Sequence, residues 1–121
     1  MKETIFITVK NQFDDVHCYP NAPEQVSFLQ SLHRHTFMIE TTIEVFHEDR
    51  ELEFYMVKDY IDSFIPAMKQ LCQNKSCENI ARYVANQIIK NYCNDIQREI
   101  IVSVSEDDRN KATLKIEKEL K

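Results

Sequence analysis

The sequence predicts an α+β domain: a four-stranded antiparallel sheet with two helices on one face, in the order β-β-α-α-β-β. Three observations carry this. Apolar and polar residues alternate near both ends of the chain, the period of half-buried strands. Two stretches in the middle repeat apolar residues at three and four, the period of helices. Paired strands flanking paired helices place the helices together on one sheet face.

Each element has its own signal. From Thr4 to Phe13, Ile5, Ile7 and Val9 fall on one side and Phe6 and Thr8 on the other. Tyr19 to Gln30 reads as irregular, with two prolines. His35 to Phe46 is a second strand, with Phe37, Ile39, Thr41, Ile43 and Val45 on one face; its Thr and Ile density favours strand over helix. Tyr60/Ile61, Phe64/Ile65, Met68 and Leu71/Cys72 make a first helix, with Asp59 placed to cap it and Pro66 expected to kink or end it. Ser76 is the N-cap of a second helix, Glu78 lies in its first turn, and Ile80, Tyr83/Val84, Ile88 and Tyr92 form its stripe. Glu99 to Ser105 and Ala112 to Glu117 are the last two strands. No linker or repeat divides the chain, so residues 1–121 read as one domain.

Composition narrows the function classes. The 121 residues carry a net charge of −5, which argues against binding a nucleic-acid backbone. No apolar run approaches the length of a membrane span. The alternating N-terminus reads as a strand and not as a signal peptide. Four cysteines without a secretion signal suggest reduced thiols in a cytoplasm. Cys72 and Cys77 lack zinc-knuckle spacing, and Cys72 and Cys93 read as small buried hydrophobes. Glycine is absent, so turns fall to Asn, Asp and Pro at "YPNAP" (19–23), "HEDRE" (47–51), "QNKS" (73–76) and "EDDRN" (106–110).

The chain has four histidines. His33 and His35 share strand parity, so both project to one face and can reach one metal ion. His17, at the end of the first strand, is the natural third ligand, since catalytic zinc sites commonly use three protein ligands. The alternative is coincidence, with one imidazole exposed and one hydrogen-bonded. His47 sits beside a turn and reads as surface.

Five motifs, in order over nearly the whole chain, resemble the 6-pyruvoyl-tetrahydropterin synthase and 6-carboxy-tetrahydropterin synthase family, which has the tunnelling fold, or T-fold. "FDDVH" supplies Phe13 and His17 in the family's Phe-x-x-x-His setting, and "LHRHTF" supplies His33 and His35 for its His-Gly-His. "YMVKDY" (55–60) is similar to Gly-Met-Val-x-Asp-Phe, with Tyr55 for the glycine. "SCENIARYV" (76–84) resembles the Thr-x-Glu-Asn start of the second helix, and "VSVSED" (102–107) supplies Glu106 for the glutamate that ends the third strand.

The resemblance implies a Zn²⁺ ion on His17, His33 and His35. It implies a dihydropterin substrate, such as 7,8-dihydroneopterin triphosphate, with Glu106 anchoring the ring. Glu78 takes a structural role or a share in the ring pocket. The resemblance also implies a homo-oligomer, a trimer or two stacked trimers, in which sheet edges close on neighbouring subunits. Without it, Glu106 reads as a solvated turn residue.

Two family parts are missing. The cysteine base lies four residues before the first histidine of the pair, and Leu29 stands there. The loop between the helices that carries an Asp-His pair is deleted, and no histidine follows His47. Cys18 is a weak candidate for the base; on a continuing strand it faces away from the metal. Cys77 sits where a helix dipole lowers a thiol pKa, or is a buried substitute for the family threonine. Arg34 has opposite parity to the histidines and points to a neighbouring subunit, a phosphate or solvent. Three functions follow: a divergent zinc-dependent pterin synthase, a non-catalytic pterin- or metal-binding relative, or a metal-free structural relative.

Overall fold

In the computed structural model, which describes residues 1–72 and 75–119, seven elements follow in order. They are β1 (Ile5–His17), a 3₁₀ segment (Glu24–Gln30), β2 (His33–Val45), α1 (Phe54–Leu71), α2 (Cys77–Tyr92), β3 (Ile100–Glu106) and β4 (Asn110–Ile116). The strands form one antiparallel sheet in the order β1-β2-β3-β4. Both helices lie on one face, α1 against β1 and α2 against β3 and β4. The expected α+β layout is therefore the observed one.

Alternation decides which face is covered. Odd-numbered residues of β1 and β2 turn inward, and Val9 stands opposite Thr41, Phe13 opposite Phe37 and His17 opposite His33. Phe37, Ile39 and Ile43 meet Ile100, Val102 and Val104 of β3, Val57, Ile61 and Met68 of α1, and Ile80, Val84 and Ile88 of α2. Each such side chain, fully buried, contributes about 1.5–3 kcal/mol before entropy is charged.

Several boundaries differ from the expectation. β1 runs past Phe13 to His17, and β2 opens at His33. Between them the Tyr19 N–H donates to the Leu29 carbonyl at 2.6 Å, which closes the excursion and returns the chain beside His17. The first helix begins at Phe54, and Glu53, not Asp59, caps it by accepting from the Met56 N–H at 3.0 Å. Its first turn breaks the apolar stripe, because Phe54, Tyr55 and Met56 are 56%, 73% and 71% exposed. The helix also continues through Pro66. The carbonyl that loses its donor belongs to Asp62, an exposed residue that water can reach. Ser76 caps α2 as expected, accepting from the Asn79 N–H at 3.2 Å. Of the "QNKS" turn, residues 73 and 74 lie outside the described residues.

A polar cluster ties the far end of β2 to its neighbours. Arg98 donates to the carbonyls of Tyr92 and Glu44 and to Glu51 Oε2, at 2.8, 3.0 and 2.6 Å. Buried Glu44 accepts from the Glu99 N–H and from Lys118 Nζ, each at 2.9 Å. Arg98 and Lys118 also stand over the Phe46 ring. Among the described residues, no helix is long and apolar enough to cross a membrane.

Candidate metal centre

His17 ends β1, and His33 and His35 open β2 on the same face. Their ring centroids lie 4.5 Å (His17–His33), 5.1 Å (His17–His35) and 4.8 Å (His33–His35) apart. One ligand atom from each lies within 4.8 Å of the other two, so the group can hold a metal ion. The three predicted ligands are thus brought together.

Hydrogen bonds on the outer ring nitrogens aim the inner ones. His33 Nδ1 is 2.8 Å from the Ser31 carbonyl, and His35 Nδ1 is 2.6 Å from Asp107 Oδ2. Both acceptors select the Nδ1–H tautomer, which leaves a lone pair on Nε2. His33 Nε2 and His35 Nε2 are buried and have no hydrogen-bond partner among the described residues. A carboxylate or carbonyl behind an imidazole is the arrangement that orients metal-binding histidines and raises their basicity. His17 is pushed below the usual histidine pKa, chiefly by burial and against the pull of Glu106. A hydrogen bond to the Lys75 backbone holds it in place. It is therefore neutral near neutral pH, the form that binds metal.

Sequence reading missed Asp107, which it placed only in a turn. Asp107 and Asp108 sit at φ 54° and 56°. This left-handed turn is tolerated by Asp in a chain with no glycine to offer. The turn brings the Asp107 N–H to the Thr36 carbonyl at 2.8 Å, while its Oδ1 accepts from the Thr36 N–H at 2.9 Å. The His35 and Thr36 hydrogen bonds hold its carboxyl below the usual range. The signal in the sequence was two Asp residues after a strand that ends beside the histidines.

Glu106 pairs with Phe37 across β2–β3, and so shares the histidine face. Its Oε1 is 3.4 Å from His17 Nε2 and its Oε2 is 3.8 Å from His35 Nε2. The Cys77 thiol points at Oε1 from 3.9 Å. A cavity of about 550 Å³ opens beside this group, with His17, His33, Glu106, Cys77, Glu78 and Cys18 in its wall.

One cysteine expectation is corrected here, and for the other the structure chooses between the two readings. β1 stops at His17, so strand parity does not carry on to Cys18, which lines the cavity instead of facing away. Burial, then the negative charges of Glu106 and Glu78, push the Cys77 thiol up to about 12, overriding any lowering by the helix dipole. Cys77 is thus a buried, protonated thiol. Leu29 lines the cavity too. Arg34 points to the opposite sheet face, exposed, and pairs with Asp14 at 2.9 Å. His47 accepts from the Asp49 N–H at 3.2 Å in the β2–α1 turn, away from the other histidines.

No protein-family model matches the chain, and no curated protein matches it either.

Proposed function

We propose that this chain is a divergent zinc-binding relative of the 6-pyruvoyl- and 6-carboxy-tetrahydropterin synthases, with a dihydropterin such as 7,8-dihydroneopterin triphosphate as its substrate. One observation carries the metal: the inner nitrogens of His33 and His35 are buried without partners while their outer nitrogens are anchored. A His₃ set with a second layer of acceptors suits zinc. When bound, zinc supplies stabilisation of negative charge on substrate oxygens. The 550 Å³ cavity is within the size range of small-molecule sites. Glu106 offers a carboxylate that accepts paired hydrogen bonds from a ring nitrogen and its amino group. Cys77 stays protonated and donates, so Cys18 is the cavity thiol left to move a proton. The open edges of β1 and β4 favour a homo-oligomer, and reduced thiols fit a cytoplasmic location.

A second reading is a pterin- or metal-binding protein without turnover. Leu29 in the cavity wall and the protonated Cys77 favour it. Elemental mass spectrometry of untagged protein tests the shared premise. About one zinc per chain is expected, absent from a His33→Ala/His35→Ala variant; zinc-free protein after purification with added zinc refutes the triad. Turnover of 7,8-dihydroneopterin triphosphate that disappears in Cys18→Ala, with zinc retained, supports the enzyme. Ring binding without turnover supports the second reading.

A further inference from the structure

We infer that Asn110 reads the carbonyl on the ring edge that Glu106 anchors, an inference that rests on the dihydropterin reading above. Strand register puts the two side chains together. Glu106 of β3 and Asn110 of β4 stand directly opposite one another. Such cross-strand pairs share a sheet face and have Cβ atoms roughly 4.5–5.5 Å apart. The face is the one the helices cover, because Ala112, Leu114 and Ile116 follow Asn110 at period two and pack on the core. Glu106 and Asn110 both line the 550 Å³ cavity.

The fold makes no use of this carboxamide. The left-handed positions of the β3–β4 hairpin are Asp107 and Asp108, at φ 54° and 56°, and Asn110 already belongs to β4. Turn geometry therefore asks for no Asn there. The cavity wall holds a second carboxamide, Asn79, but its Oδ1 accepts from Ser76 Oγ at 3.1 Å at the start of α2. The Asn110 side chain is exposed and makes no hydrogen bond among the described residues. Ala112, next on the same face, is small and also lines the wall, which leaves room for a flat ring.

The chemistry of the ring edge fits the pair. A 2-amino-4-oxo ring presents, side by side, an amino donor, a ring N–H donor and a carbonyl acceptor. An ionised carboxylate only accepts, so Glu106 answers the two donors and offers the carbonyl nothing. A carboxamide carries two N–H donors. Glu106 and Asn110 together match all three groups of the edge, whereas Glu106 alone matches two. Asn110 thereby sets which ring the cavity prefers, and the metal group is untouched.

The test is equilibrium binding, by calorimetry, of 7,8-dihydroneopterin and of 2,4-diaminopteridine, whose 4-amino group donates where the carbonyl accepts. It compares full-length wild type, Asn110→Ala, Asn110→Asp and Glu106→Gln. Asn110→Ala should bind dihydroneopterin about 3- to 10-fold more weakly, the loss of one neutral hydrogen bond. Asn110→Asp sets an acceptor against the carbonyl but a partner against the amino group. The ratio of dihydroneopterin to diaminopteridine affinity should therefore fall about 10-fold or more. Zinc content should match wild type in both, since Asn110 is no part of the histidine group. Wild-type affinities and ratio in the Asn110 variants, with the ring lost in Glu106→Gln, overturn the inference and leave the dihydropterin reading standing. An equal loss for both rings in Asn110→Asp overturns it too, by showing a damaged cavity and no reading of the carbonyl. Loss of zinc in the Asn110 variants overturns it by placing the effect on the metal group. Failure of wild type to bind dihydroneopterin overturns both the inference and the dihydropterin reading.

Discussion

The two ends of β2 both gather polar side chains, and they treat them in opposite ways. At the Val45 end the cluster is complete. Arg98 donates to three acceptors, and both Glu44 carboxylate oxygens accept a hydrogen bond. Glu51 accepts from the Phe46 N–H as well as from Arg98; burial alone would raise its pKa, but these two partners hold it low. At the His33 end, outer nitrogens are anchored while inner nitrogens face one another with no partner. A buried polar group left unmatched costs about 1–3 kcal/mol. The complete cluster reads as a clamp on the fold, and the incomplete one as a receptor for a cation.

The largest effect expected from breaking this contrast is in stability. Arg98→Ala removes the donor shared by Glu51 and the Glu44 and Tyr92 carbonyls, and should lower unfolding free energy by about 2 kcal/mol, within the range for losing hydrogen bonds from a charged group. Chemical denaturation reads that value, and zinc stoichiometry should not change; a loss below 1 kcal/mol would mean the clamp is not holding the fold. Asp107→Asn should do the reverse. Asn also tolerates the left-handed turn, so stability should hold, while zinc affinity falls about 10-fold as His35 loses its anionic partner. Competition with a chelator measures it, and unchanged affinity would reduce Asp107 to a turn residue. The smallest effect tests the exposed face at the histidine end. Arg34→Ala breaks only the exposed pair with Asp14 and should shift stability by less than about 0.5 kcal/mol, with zinc affinity unchanged. A larger shift in a monomeric melt would mean that this face bears load.

Much of this was legible before any tertiary contact was known. The even spacing of Ile5, Ile7 and Val9 announced β1, and the helical spacing of Ile80, Val84 and Ile88 announced α2. Both patterns are one-dimensional records of a buried face. Where the buried face ended, the record failed. The exposed first turn of α1 hid its start at Phe54, and solvent on the Asp62 side let the helix tolerate Pro66.

The site divides along the same line. Strand parity alone put His33 and His35 on one face, because side chains on a strand alternate with period two. Taken alone, Glu106 read as a solvated turn residue, and it took the β3 register, opposite Phe37, to put it on the histidine face. The pairing of His17 with His33 needed the chain to return through the Tyr19–Leu29 contact. The aim of Asp107 needed a left-handed turn that no periodicity encodes. Cys18 changed meaning because β1 stops at His17, and Cys77 settled on its buried reading because burial and neighbouring charge, not residue type, decide whether a thiol ionises. Local pattern could nominate the ligands; only packing from distant parts of the chain could orient them and leave their inner nitrogens bare.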